Sequence, residues 1–339
     1  MGVRVSVAGA SGYGGGELLR LLAAHPEVEL AALAASSNAG QSVTAVHPHL
    51  RSLAGRRFDA TDPALLADAD AVLLSVPHGE SGAIAAALPP GVPVLDLGAD
   101  HRLADADAWA TWYGGEHAGA WCYGLPELPG ARERLRGATR VALPGCFATA
   151  VLLALAPLVA AGLVAATDVV AVAASGVSGA GRTGGGVVSA AEAMGDLVAY
   201  KVARHQHVPE VEQELGRLAG SASLSLTTTL APMPRGILAT CTARTTAAEA
   251  ELRAALGSAY RDEPFVHLLE PGAWPHTAAT VGSGSAHLQL ALDARPGRVV
   301  VVSALDNLGK GASAQAVQVL NLALGLPETL GVPVDGVAP

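Results

Sequence analysis

The stretch VAGASGYGGGELL, Val7–Leu19, runs from an apolar strand through a cluster of glycines into the head of a helix. Gly9, Gly12 and Gly15 give it a G-x-x-G-x-x-G spacing, a departure from the commoner G-x-G-x-x-G. The physics is the same. Glycines permit a tight turn and let a pyrophosphate approach the backbone, where N–H groups at a helix N-terminus meet its charge. With Ser11 and Tyr13 between the glycines, this turn is the candidate dinucleotide site.

Around it, strand and helix alternate. RVSVA (Arg4–Ala8) reads as a strand and GELLRLLAA (Gly16–Ala24) as a helix with Leu18, Leu19 and Leu22 on one side. VELAAL (Val28–Leu33), AVLLSV (Ala71–Val76), PVLDL (Pro93–Leu97) and RVAL (Arg140–Leu143) continue the series. Near-continuous apolar strands separated by helical stretches predict a parallel sheet covered on both faces. After about residue 165 the texture changes. LSLTTTL (Leu224–Leu230), GILATCTAR (Gly236–Arg244), AHLQLALDA (Ala286–Ala294) and RVVVVSAL (Arg298–Leu305) alternate and are rich in Thr and Val, which predicts a largely antiparallel, half-exposed sheet. A helix between two of these strands is expected to open on a capping box at Thr246 and Glu249. GASAQAVQVLNLALGL (Gly311–Leu326) is helical again and is expected to pack on the first domain. The expected fold class is therefore α/β. A Rossmann-like parallel-sheet domain spans 1–145 with 306–339, and an α+β catalytic and dimerisation domain with a mostly antiparallel sheet spans 146–305.

The chain has 339 residues, a net charge of −9 and no block of Lys or Arg, which argues against a nucleic-acid partner. Its start, MGVRVSVAGA, goes directly into a strand, so no signal peptide is expected. Cys122, Cys146 and Cys241 are odd in number and scattered, which suits reduced thiols in the cytoplasm and offers no paired zinc-ligand spacing. Phe147–Ala166 carries no charge and matches the ~20 residues of a bilayer span. Pro157 and Gly162 interrupt it, however, and TDVVAVAAS follows as a buried strand. A core helix is the better reading, with no membrane partner.

The second strand ends LAASSNAGQSV, with Ser36, Ser37 and Asn38 and no carboxylate. An NAD site usually places an acid there for the ribose 2′-hydroxyl, whereas small hydroxyls accommodate a 2′-phosphate. NADP is the expected cofactor, although no arginine stands close by in sequence.

LPGCFATA (Leu143–Ala150) places Cys146 in the first turn of a helix, where the partial positive charge of the N-terminus favours a thiolate. Cys241, in a Thr-rich strand, reads as buried filling, and Cys122 as part of a packed loop. A nucleophilic thiol needs a base. YKVARHQHVPEVEQEL supplies His205 and His207 in a loop before a helix with Pro209 at its first position, Glu210 in its first turn, and Val211, Leu215 and Leu218 as its apolar stripe. His205 is the favoured acid/base, with His207 the other choice and Glu210 a candidate to orient it. GRTGGGVV (Gly181–Val188) is expected to be a mobile loop around the site.

Several segments, in order along nearly the whole chain, resemble the N-acetyl-gamma-glutamyl-phosphate reductase family of the aspartate-semialdehyde dehydrogenase superfamily. They are GASGYGGGELLRLL, SVPHGES (Ser75–Ser81), DLGADHRL (Asp96–Leu103), YGLPEL (Tyr123–Leu128), LPGCFATA, SGVSGAGR (Ser175–Arg182), HQHVPEVEQEL, PRGILATC (Pro234–Cys241) and DNLGKGASAQAVQ (Asp306–Gln318). The resemblance implies NADPH-dependent reduction of an acyl phosphate in arginine biosynthesis, through a thioester on Cys146 and with proton transfer by His205, in a dimer or tetramer. It further implies Arg102 for the leaving phosphate, and Arg182, Arg235 and His207 for the substrate. Ser178, Gly179 and Asn307 fall to the cofactor, with Asn307 at the nicotinamide. The chain departs from the family in HTAATVGSGSAHL, where His276, Thr277 and Ala278 stand near the place of an expected lysine and Gly284 replaces an asparagine. Its loop before the HQHVPE helix is one residue short. Rival readings are a relative acting on aspartyl phosphate or carrier-bound aminoadipyl phosphate, and a nucleotide-binding regulator without catalysis.

Overall fold

The computed structural model describes residues 2–182 and 190–337. The chain forms two compact units. Unit 1 comprises Met1–Leu125, Ala131–Pro144 and Ala312–Val332, and unit 2 comprises Pro126–Gly130, Gly145–Gly311 and Pro333–Pro339. Residues 126–130, 306–311 and 333–339 thus go with unit 2, not with the nucleotide domain to which the sequence reading assigns them. Side-chain and backbone bonds explain why. Asp306 accepts the Gly282 N–H, Lys310 pairs with Glu127, and Gly284 donates to the Pro333 carbonyl.

In unit 1, β1 (Val3–Ala8), β2 (Val28–Ala34), β3 (Ala71–Leu74), β4 (Val94–Asp96), β5 (Cys122–Tyr123) and β6 (Arg140–Ala142) form one parallel sheet in the order β2-β1-β3-β4-β6-β5. Val5, Val7, Leu73, Leu95 and Val141 are fully buried, as strands covered on both faces require. The first helix is Tyr13–Leu22, three residues earlier than the periodicity suggests, because its first turn holds Gly14, Gly15 and Gly16. Glycine costs a helix about 1 kcal/mol per residue against alanine. Here packing demands it, since a Cβ on Gly15 would lie 2.2 Å from the Gly9 carbonyl oxygen. Gly9 itself has φ +76°, a left-handed conformation that favours glycine. The Ala314–Leu324 helix packs beside the first one, and Ser313 Oγ donates to the Gly14 carbonyl at 3.0 Å.

Unit 2 holds β7 (Val169–Gly176), β8 (Val198–Tyr200), β9 (Leu224–Ala231), β10 (Ile237–Arg244), β11 (Val266–Leu268), β12 (Ala286–Asp293) and β13 (Arg298–Leu305), in the order β11-β12-β13-β10-β7-β9-β8. Pairing is antiparallel except for β11 with β12 and β7 with β9. One face is covered by the Cys146–Ala160 helix, which is buried from Phe147 to Val159. Among the described residues no helix is long and apolar enough to cross a membrane. Pro157 sits inside that helix and leaves the Leu153 carbonyl without its usual donor. The Tyr260 hydroxyl fills the gap at 2.6 Å. The helix that carries Tyr260, Glu249–Tyr260, begins after Ala248 rather than at the expected Thr246. Alanine offers no capping oxygen, so the reciprocal half of the motif remains: the Glu251 carboxylate accepts the Ala248 N–H.

Among the described residues, the other face of the sheet is partly exposed. Register aligns Thr227, Val172, Thr240 and Val302 in one row across four strands, and Val172 is 51% exposed. Their neighbours Ala171, Cys241 and Val301 point the other way and are buried.

Candidate active site

The site in unit 2 is built on the head of the Cys146–Ala160 helix. Gly145 is its N-cap with φ −70° and ψ 148°, and no side chain caps the helix. Cys146 is the first helical residue, outside any disulfide and partly exposed, while Cys241 is buried with its thiol pushed up to about 12 by desolvation. Placement thus separates the two sulfurs as the sequence reading expects.

Both histidines of the HQH segment stand beside this head. The Val208–Ala219 helix starts one residue after His207, with Pro209 second rather than first. A Cβ on Gly145 would lie 2.3 Å from His207 Nε2, so the imidazole lies directly against the backbone preceding Cys146. His205 is set deeper, at 5% exposure. Its Nδ1 accepts the His207 N–H at 3.2 Å, and its ring packs edge-on against Phe147 and Tyr200. Burial pushes the His205 pKa down to about 4, with the Lys201 ammonium adding to the effect. His205 is therefore neutral near pH 7. Tyr200 is driven up, first by burial and then by the Cys146 charge.

Glu210 is fully buried, and its Oε1 accepts the Gly145 N–H at 2.8 Å. It ties the second helix to the backbone that presents the thiol. Opposite, Gly311 closes on Cys146, where a Cβ would fall 2.8 Å from the cysteine Cβ.

A buried polar cluster joins the ends of β7, β10 and β13. Arg235 lays one edge of its guanidinium on Asp306, at 3.1 Å from Nε to Oδ1 and 2.6 Å from NH2 to Oδ2. Asn307 accepts the Gly236 N–H through Oδ1 and donates through Nδ2 to Ser178 Oγ. Its carboxamide is thus engaged at both ends within unit 2, which makes it a brace for the Val177–Ala180 turn that holds Ser178 and Gly179. Arg182 is exposed in the turn that follows. The rest of the glycine-rich loop, residues 183–188, lies outside the described residues.

In unit 1 the glycine turn stands at the head of the Tyr13–Leu22 helix. Gly12 is its N-cap, no side chain caps it, and no acid occupies its first turn. That is the donor array a pyrophosphate requires, and the close glycine contacts leave no room for a Cβ in the cradle. Ser36 and Ser37 are exposed after β2. The structure adds an arginine the sequence conceals: Arg57 donates to the Gly40 carbonyl at 2.7 Å. It reaches the serine loop from the Arg57–Ser42 bridge. Arg102 is buried and donates to the carbonyls of Leu143 and Leu97 at 2.7 and 2.8 Å. It clamps the ends of β4 and β6 from a buried position. Asp96 is also fully buried. Desolvation raises its carboxyl to about 6, against the hydrogen bonds from Ser81 Oγ and the Gly98 N–H.

Residues 4–138 match the semialdehyde dehydrogenase NAD-binding domain, and residues 146–307 match the semialdehyde dehydrogenase dimerisation domain. The chain is 62% identical to N-acetyl-gamma-glutamyl-phosphate reductase of Acidothermus cellulolyticus, with all of both chains covered. It is 60% identical to that of Salinispora tropica, again over the whole of both. The chain belongs to the N-acetyl-gamma-glutamyl-phosphate reductase family. Among solved structures, a probable aspartate-semialdehyde dehydrogenase from Pseudomonas aeruginosa superposes with a TM-score of 0.71 at 20% identity, covering 96% of this chain and 99% of that one. The Candida albicans aspartate semialdehyde dehydrogenase with NADP gives 0.71 at 15% identity, with the same coverage. At that identity these two share the fold of this reductase-family chain.

Proposed function

We propose that the chain reduces N-acetyl-gamma-glutamyl phosphate to N-acetylglutamate semialdehyde and phosphate, with NADPH as the reductant. The observation that carries this is the placement of Cys146 as the first residue of a buried, uncapped helix with the His207 imidazole against its N-cap. The fifteen-residue helix directs its dipole at the sulfur. His207 takes the thiol proton as the sulfur attacks the acyl carbon, and the C–O bond to phosphate breaks to leave a thioester. The glycine turn at Gly9, Gly12 and Gly15 would hold NADPH, which would supply the hydride that reduces the thioester. His207 protonates the resulting oxyanion, then recovers that proton as the C–S bond breaks and releases the aldehyde. His207 takes the role for which His205 is favoured on sequence, because His205 is sunk among aromatic rings and already serves as acceptor for the His207 N–H. Glu210 is a positioning residue that fixes the Gly145 peptide. Arg235, oriented by Asp306, and Arg182 are the groups proposed to meet the substrate's α-carboxylate. Arg57, bonded to the Gly40 carbonyl in the loop that follows Ser36 and Ser37, supports NADP over NAD.

The test is phosphate-dependent oxidation of N-acetylglutamate semialdehyde with NADP, followed by absorbance, beside the aspartate analogue. Turnover of the first alone supports the reading, and turnover of the second alone overturns it. The exposed Thr/Val row and the dimerisation-domain match support a homodimer, and three cysteines outside any disulfide support a cytoplasmic setting. Val172→Glu should then shift the sedimentation coefficient to that of a monomer.

A further inference from the structure

We infer that His47 is a positioning residue for the dinucleotide, an inference that rests on the cofactor assignment above. His47 is 2% exposed and ends the short Val43–Val46 helix. Its backbone is tied at both ends: its N–H donates to the Val43 carbonyl, and its own carbonyl accepts the Leu50 N–H. The ring reaches back into the glycine turn, where Nε2 lies 3.0 Å from the Ala10 carbonyl oxygen. A carbonyl only accepts, so Nε2 carries the hydrogen. The imidazole also packs against the first helix. A Cβ on Gly16 would meet Cε1 at 2.4 Å, and Phe58 and His49 hold the ring edge-on at centroid distances of 6.1 and 5.8 Å.

This contact has a geometric consequence. The peptide is planar and trans, so a carbonyl turned toward His47 sends the N–H of Ser11 to the opposite side. The carbonyl of Gly9 is likewise taken inside the turn by the Gly12 N–H at 3.0 Å. Two carbonyl oxygens that would repel a pyrophosphate are thereby turned inward, away from the helix head. The Ala10 N–H is bonded to the Ala34 carbonyl and the Gly12 N–H to the Gly9 carbonyl, and the Ala10 carbonyl takes its donor from the histidine. Nothing in the local sequence around Val46 and Pro48 marks this residue; the fold brings it 37 positions back to Ala10.

The experiment compares His47→Leu, which removes the donor, with His47→Gln, whose amide retains one. NADPH affinity is read by fluorescence titration without substrate, alongside kcat at saturating NADPH and the melting temperature. Leucine should raise the NADPH Kd about tenfold, equivalent to about 1.4 kcal/mol. Glutamine should stay within about threefold of wild type by the hydrogen-bond argument, and kcat should be retained in both. Gly16→Ala, which pushes the ring from the other side, should also weaken NADPH binding. The inference is overturned if leucine binds NADPH as wild type does, or if glutamine loses as much affinity as leucine. If the wild-type chain itself binds no NADPH, the cofactor assignment falls and takes this inference with it.

Discussion

Gly145→Ala isolates the placement of His207. The backbone there, at φ −70° and ψ 148°, is extended and open to any residue, so alanine brings no conformational strain. What it brings is a methyl group 2.3 Å from His207 Nε2, with Cε1 at 2.5 Å and Cδ2 at 2.7 Å. Carbon and nitrogen atoms in ordinary contact sit at roughly 3.5 Å or more, so the ring must withdraw by about 1 Å. A misplacement of about 1 Å in a reacting group costs on the order of 10²-fold in rate. The change should therefore lower kcat by on the order of 10²-fold while the NADPH Kd, set in unit 1, stays within twofold. The assay is phosphate-dependent NADP reduction with the semialdehyde, with the melting temperature recorded to show that the chain is folded. A folded Gly145→Ala variant with kcat within threefold of wild type would refute the placement of His207 as the proton-transfer group.

Other perturbations have signs set by the same structure. His205, held near 4 against 6.5 in the unfolded chain, makes stability fall as pH drops from about 6.5 to 4, by at most about 3 kcal/mol. His205→Asn should abolish that slope in chemical denaturation and keep far more activity than His207→Asn. Asp96 acts in the opposite sense. Its folded pKa of about 6 exceeds 3.8, so the native state holds the extra proton in acid and loses that advantage as pH rises through 6. Asp96→Asn should accordingly gain on wild type between pH 4 and 7, by up to about 3 kcal/mol in urea titrations. Lys310 and Glu127 form a fully buried pair at 2.5 Å. Lys310→Met alone should cost about 3–5 kcal/mol by leaving a buried carboxylate, and adding Glu127→Leu should recover most of it in thermal melts.

How much of this was legible depends on whether a contact is local. The six apolar strands of unit 1 and the Thr/Val strands of unit 2 announce themselves because burial on two faces or one imposes a repeat on adjacent residues. Cys146 at a helix head was readable from PGCFATA for the same reason. The ranking of His205 and His207 was not, because it depends on which ring meets Gly145, about sixty positions away. Arg57 at the serine loop, Asp306 under Arg235 and the Tyr260 hydroxyl that repairs the break at Pro157 are likewise long-range contacts between residues with no local signature. Asn307 and Arg102 show the converse. Their segments resemble a family's ligand-contacting motifs, yet nothing local in them announces the bonds to Gly236, Ser178, Leu97 and Leu143. The capping box expected at Thr246 falls two residues later, after a turn in which the Thr245 hydroxyl donates to the Leu163 carbonyl and accepts the Ala247 N–H.

The central claim is a covalent one, and mass spectrometry addresses it directly. The enzyme is mixed with N-acetyl-gamma-glutamyl phosphate in the absence of NADPH, quenched in acid and digested. The account predicts an N-acetylglutamyl adduct on the peptide containing Cys146, removed by hydroxylamine and absent from Cys146→Ser. Turnover without any adduct on Cys146, or an adduct that persists in the serine variant, would contradict it.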